Sequence, residues 1–202
     1  KRYGAKLPLV VSPVISAFGF LLFMAPGIGG SYWMTFFPAV VVLGLGMAVS
    51  VAPLTTTVMG SAPQVMAGVA SGINNAVSRT AGALAIAVLG IVMLQTFSSR
   101  LDQRLDGLGV DRELRSLLDE QRVKLAGTEI PAGMSIETRA ELKRVVDESF
   151  VYGFRLVMAI AACLAVLGAL TSWLMIEGEA EQAPPVGTRP LTAGCEPTAT
   201  RF

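Results

Sequence analysis

The stretch MAGVASGINNAVSRTAGALAIAVLGIVMLQT, residues 66–96, decides how this chain is read. It carries a single charge, Arg79, and its second half, GALAIAVLGIVML (82–94), carries none. A bilayer hydrocarbon core about 30 Å thick takes roughly 20 apolar residues of α-helix, so this segment is long enough to cross one. Working outward, residues 7–25, 33–59 and 151–176 share the pattern. Across all four stretches the charged residues are Arg79 and Arg155, with no acid. The expectation is an all-α membrane protein with four transmembrane helices, three of them within residues 1–96 and the last within 150–176.

The rest of the composition agrees. Of 202 residues, 52% are hydrophobic and 15% charged, and the mean hydropathy is +0.60. Ordinary soluble domains carry about 25% charged residues, and disorder needs low hydrophobicity with high net charge. Sixteen basic residues against fifteen acidic ones leave a net charge of +1, no basis for holding nucleic-acid phosphates. The chain has no histidine, which removes imidazole acid–base catalysis and imidazole metal ligands. It has no Walker loop and no spaced cysteine pair, and Cys163 and Cys195 are not expected to join, one lying mid-membrane and the other in the tail. The reading is a protein that is not an enzyme, with no cofactor and no metal site.

The connections are short where the chain turns within the apolar part. PGIGGS (26–31) and GSAPQ (60–64) are uncharged turns. Tyr32, Trp33, Phe36 and Phe37 open the second span at headgroup level, where aromatic rings favour the interface. Residues 97–149 are different, with nine basic and eleven acidic residues. Leu101, Leu105, Leu114, Leu117 and Leu118 recur there at helical spacing, so short amphipathic helices are expected, broken at GLG (107–109) and GTEIPAG (127–133). The tail, 177–202, is rich in Pro, Thr and Gly and reads as disordered. Lys1, Arg2 and Lys6 beside the first span set its start in the cytoplasm. Four spans then return the tail to the cytoplasm and leave 97–149 as an extracytoplasmic polar loop of a cell-membrane protein.

Arg79 is the sharpest residue, because an ionisable group inside a span is costly and marks function by default. Asn75 lies four residues before it on the same helix face, and Asn74, Ser78 and Thr80 add hydrogen-bonding groups. This face could line a polar substrate pathway or gate, or Arg79 could snorkel to the headgroups and lock a helix contact. Arg155, near the start of the last span, reads as an interfacial anchor. Gly68, Gly72 and Gly82, with Gly90 beyond, read as a helix-packing stripe, and Gly44 and Gly46 as points of close backbone approach. Pro53 should bend the second helix, and the hydroxyls of Thr55, Thr56 and Thr57 should satisfy carbonyls the proline frees, with Thr56 alternatively lining a cavity.

Three stretches carry a resemblance to a known family. KRYGAK (1–6) resembles the end of a basic cytoplasmic-loop motif, with Ala5 where a basic residue is usual. Residues 53–90 are similar to a region in which a Pro-bearing helix end leads to G-x-A-S-x-x-N-x-x-R-x-x-G, matched by Gly68, Ala70, Ser71, Asn75, Arg79 and Gly82. FVYGFR (150–155) resembles an aromatic-Gly-Phe-Arg opening of a final span. The family is the major facilitator superfamily, and within it the fourteen-span drug:proton antiporters of the EmrB/QacA type.

The resemblance implies the C-terminal piece of a secondary transporter, spans eleven to fourteen of a two-bundle machine that rocks about a midplane site. The implied activity is proton-coupled multidrug efflux. The implied partners are a small hydrophobic or cationic substrate, protons, the lipid bilayer and the N-terminal transmembrane helices that would precede Lys1. Proton coupling ordinarily needs an intramembrane acid, and these spans hold none, so that acid is expected upstream. The alternatives are a facilitator-type transporter of another solute class and a non-transporting membrane scaffold or partner subunit.

Overall fold

The computed structural model describes residues 6–29, 31–60, 63–108, 112–128 and 135–175. Helix α1 (Lys6–Leu22) is followed by a turn in which Gly29 adopts φ 79°, a left-handed conformation that glycine takes without cost. Helix α2 (Tyr32–Gly60) runs on through Pro38 and Pro53. A single 3-10 turn, Gln64–Met66, leads into α3 (Ala67–Leu108). Then come α4 (Arg112–Glu120), a 3-10 segment Arg122–Gly127 and α5 (Ile136–Met175). No strand occurs among the described residues.

Three helices, α2, α3 and α5, are long and apolar enough to cross a membrane. The expected first span is corrected: α1 ends at Leu22 rather than at 25, and its apolar run, Leu7–Leu22, is shorter than the other three. Seventeen residues at 1.5 Å each reach about 26 Å, a little under the hydrocarbon thickness.

The expected run of short helices in 97–149 is also revised. Two of its helical pieces are extensions of the long helices. α3 continues from its apolar half through Leu108, and α5 starts at Ile136, well before its apolar half. Charge ends a hydrophobic stretch but not a helix, because Leu, Arg, Gln and Glu are all good helix formers. The two extensions, α4 and the 3-10 segment close a hydrophobic core of their own. Phe97, Leu101 and Leu105 from α3 meet Leu142, Val145 and Val146 from α5, covered by Leu114 and Leu118 of α4. Leu117 points outward at 42% exposure. Leu125 packs against this core at φ 51°, a conformation uncommon for a non-glycine residue. The 107–109 break falls where α3 ends. Residues 109–111, 129–134 and the tail from 176 lie outside the described residues, as do 1–5.

In the apolar half, α1 lies between α2 and α5, and α3 meets the group mainly through α5. The α1–α2 crossing is made close by glycine on both helices. A Cβ on Gly19 would fall 2.9 Å from the Leu43 backbone, and one on Gly46 2.9 Å from the Ser16 nitrogen. Gly46 thus behaves as expected, whereas Gly44 faces open space. Ser12 is buried at this crossing, and its hydroxyl has no partner among the described residues.

Candidate functional site

FVYGFR (150–155) ties α5 to its neighbours, Tyr152 and Gly153 facing α3 and Phe154 and Arg155 facing the end of α1 and the turn after it. Phe154 stacks on Phe150 and meets Phe23 at the end of α1 edge-on, with 6.4 Å between the ring centroids of Phe154 and Phe23. Phe23 in turn contacts Phe36, which stacks on Tyr32 at the start of α2. A Cβ on Gly153 would meet the Met93 sulfur at 2.9 Å, so this glycine lets α5 lie against α3. The Tyr152 ring sits 3.8 Å from the guanidinium of Arg100 on α3. Arg155 donates to the Pro26 carbonyl at 3.2 Å, tying α5 to the α1–α2 turn. Its anchoring is therefore a tether to protein backbone. Together these aromatic residues form one level at the foot of the polar hairpin, the kind of ring cluster that suits a membrane interface.

That level gives α3 a depth scale. Counting 1.5 Å per residue from Phe97 back to Arg79 gives about 27 Å, almost the full hydrocarbon thickness of about 30 Å. On a straight helix along the membrane normal, Arg79 then falls near the opposite interface, within reach of headgroups. Arg79 and Asn75 are exposed, Asn74 is half-buried, and none makes a hydrogen bond or ion pair with a described residue. At 100° per residue, Gly68, Gly72, Asn75, Arg79 and Gly82 fall within about 40° of a common line. Asn74 lies well off it.

The glycine stripe packs against no described residue. No heavy atom lies within 4 Å of where a Cβ would stand on Gly68, Gly72, Gly82 or Gly90. The most apolar 18-residue window of α3 contains no buried residue at all.

The threonines at the end of α2 act differently from expectation. Thr55 donates to the Val51 carbonyl, Thr56 to those of Ala52 and Pro53, and Thr57 to that of Pro53. Pro53 lacks the N–H that would bond the carbonyl four residues earlier, that of Val49, and none of these hydroxyls reaches it. Their i−3 and i−4 bonds satisfy them on their own helix. Among the described residues, no hydrogen bond links Thr56 to Asn74, Asn75 or Arg79.

Charge in the described part is concentrated on the hairpin. Arg122 donates to both oxygens of Asp102 and, through Nε at 2.8 Å, to Asp119. Arg115 bridges Asp106 at 2.8 Å and lies 3.7 Å from Asp102. The hydrogen bonds from Arg122, with its charge and that of Arg115, hold the Asp102 carboxyl below its ordinary value against a smaller effect of burial. The same hydrogen bonds, donated to Asp102, raise Arg122. On the other side Glu148 accepts from Arg144 at 2.9 Å and pairs with Arg104 at 3.1 Å. These pairs lock the hairpin, a structural role that the alternating signs alone did not reveal.

Comparison with known proteins bears on most of the chain. It is 26% identical over 181 residues to the multidrug resistance protein Stp of Mycobacterium tuberculosis, covering 85% of this chain and 32% of that protein. It is 29% identical over 195 residues to the tetracenomycin C resistance and export protein of Streptomyces glaucescens, covering 91% of this chain and 34% of that one. The chain is related to drug-resistance and drug-export proteins. A third relative is the tetracycline resistance determinant of Streptomyces rimosus, 28% identical over 158 residues, 70% of this chain and 45% of that protein. The resemblance carried by residues 1–6, 53–90 and 150–155 is thereby supported over most of the chain. The chain spans about a third of the length of the first two relatives. No protein-family model matches it, and no solved structure does. With three helices fit to cross a bilayer, it is a multi-pass membrane protein.

Proposed function

We propose that this chain supplies four membrane helices to a proton-coupled drug exporter of the major facilitator type, working by alternating access. The observation that carries the reading is the open face of α3. A helix with no buried residue in its most apolar window, and with an unfilled glycine stripe, needs lipid or further helices against it. The relatives, named for drug resistance and export, are about three times as long, which leaves room for such helices. α1 acts as the fourth span, its shortfall of a few ångströms met by local thinning of the bilayer. The hairpin stands outside the cell and the C-terminus inside, as the basic residues before the first span suggest.

In this reading Arg79 and Asn75 lie at the inner mouth of the pathway, where a cation on a small-residue stripe gates the approach of a neighbouring helix. Asn74 and Thr56 are peripheral to that gate. The apolar stretches hold no carboxylate, so the proton-carrying acid belongs to helices outside this chain. The test is Arg79→Ala in the full-length gene, with efflux of a fluorescent drug and membrane abundance both measured. Loss of export at normal abundance is expected. Export at the wild-type level would leave Arg79 as an interfacial anchor only.

A further inference from the structure

A groove of about 530 Å³ opens between α3 and α5 at the foot of the hairpin, at the aromatic level. Gln95, Thr96, Ser99, Arg100 and Gln103 line it from α3, and Tyr152 and Leu156 from α5. Its lining holds one charge and no acid. Three acids of the two long helices beside it are engaged elsewhere: Asp102 and Asp106 by Arg115 and Arg122, Glu148 by Arg104 and Arg144.

Arg100 is held without being neutralised. The Tyr152 ring covers one face of its guanidinium, and stacking of this kind leaves the in-plane N–H groups free. Neither Arg100 nor Gln95, Thr96, Ser99 or Gln103 makes a hydrogen bond with a described residue. A fixed fork of donors, flanked by uncommitted amides and hydroxyls, suits a tetrahedral oxyanion.

The surface below the groove says which oxyanion. Ile91, Val88 and Leu84 continue from Gln95 along one face of α3, exposed at 57%, 57% and 61%. Leu156 and Leu167 do the same on α5, at 40% and 55%. A soluble phosphate has no use for such a surface, whereas acyl chains do.

We infer that this groove binds the phosphate of an anionic phospholipid from the leaflet on the hairpin's side, with its chains along α3 and α5. The inference rests on the membrane-embedded reading and not on transport, and it goes beyond the gate assigned to Arg79. A phosphate held here would bridge α3 and α5 on the hairpin side of the Met93–Gly153 contact.

The test is native mass spectrometry of the protein purified in a neutral detergent. Three probes are added separately: phosphatidylglycerol, diacylglycerol with the same chains, and inorganic phosphate. Retained phosphatidylglycerol on the wild type is expected, with at least tenfold weaker retention by Arg100→Gln. Tyr152→Leu, which keeps the charge and removes its platform, should fall between them. Arg104→Gln, whose arginine is already paired with Glu148, should match the wild type. Equal retention by Arg100→Gln, or equal retention of diacylglycerol, would overturn the proposal. Displacement of the lipid by millimolar inorganic phosphate would reassign the groove to a soluble anion. No retention by the wild type would overturn it as well. None of these results depends on whether drug export occurs.

Discussion

Phe97 and Ile91 stand six residues apart on one uninterrupted helix, yet Phe97 is 0% exposed and Ile91 57% exposed. Above Phe97 the chain is polar and gathers its few apolar residues into a closed core with α4 and α5. Below it α3 is apolar from Leu94 back to Gly82, and its most apolar window buries no residue. The difference follows from the solvent. In water an apolar side chain must find protein to escape exposure, while in a bilayer lipid tails cover it equally well and only close packing and polar contacts select helix partners. The polar half is therefore the self-sufficient part, and the apolar half depends on what surrounds it.

The sharpest test of that contrast is truncation on either side of the boundary. Phe97→Ala should destabilise the hairpin by about 3–5 kcal/mol, the usual cost of emptying a core phenylalanine site. Ile91→Ala should change stability by less than about 0.5 kcal/mol, as for exposed positions generally. Hydrogen exchange of residues 97–149 in detergent would measure both, and equal effects would erase the distinction.

A second test compares glycines. Gly46→Ala should cost about 1–3 kcal/mol, because the new methyl meets the Ser16 backbone nitrogen at 2.9 Å and overpacks a fixed crossing. Gly72→Ala should leave the stability of these described helices unchanged or slightly higher, since alanine favours a helix and open space receives the methyl. If Gly72→Ala nonetheless lowers export by the full-length protein, a helix from outside this chain packs on the stripe. Thermal unfolding of both variants, followed by circular dichroism, separates the two sites.

The smallest effect belongs to the hairpin's ion network. Asp102→Asn should cost about 1 kcal/mol or less, the range for partly exposed pairs. The sign with pH is fixed by the carboxyl. Its value in the folded chain lies below the ordinary 3.8, so its contribution is complete above that and is lost as pH falls through the lowered value. The wild-type melting temperature should fall on acidification below about pH 4, and that of Asp102→Asn should fall less. High salt should shrink the gap between them.

Much of this was legible from residues alone. Four spans were read from long apolar stretches, of which three are helices long enough to cross a membrane, and of Leu101, Leu105, Leu114, Leu117 and Leu118, read as amphipathic helices, all but Leu117 are buried. Their partners were less visible. Val145, Val146 and Leu142 sit among charges, and Phe97 reads as the end of a span rather than the first layer of a core. FVYGFR drew notice as an opening to a helix, while its role as a junction depends on Phe23, Met93, Arg100 and Pro26, which are distant in the chain. The distance of Arg79 from the aromatic level needed contacts across three elements to define that level. The threonines after Pro53 misled because a hydroxyl in a helix bonds its own turn more readily than the proline's orphaned carbonyl.

The amino-acid sequence by itself determined that this is an all-helical membrane chain with a polar insertion, because hydropathy and helical period are local properties that each segment expresses alone. Only the tertiary structure decided that the insertion is built from extensions of the two flanking helices. It also decided that Gly19, Gly46 and Gly153 are the glycines that bring helices together while Gly68, Gly72 and Gly82 stand open. Those outcomes depend on which distant segments meet, and small residues and leucines look the same in sequence whether or not a partner lies across from them.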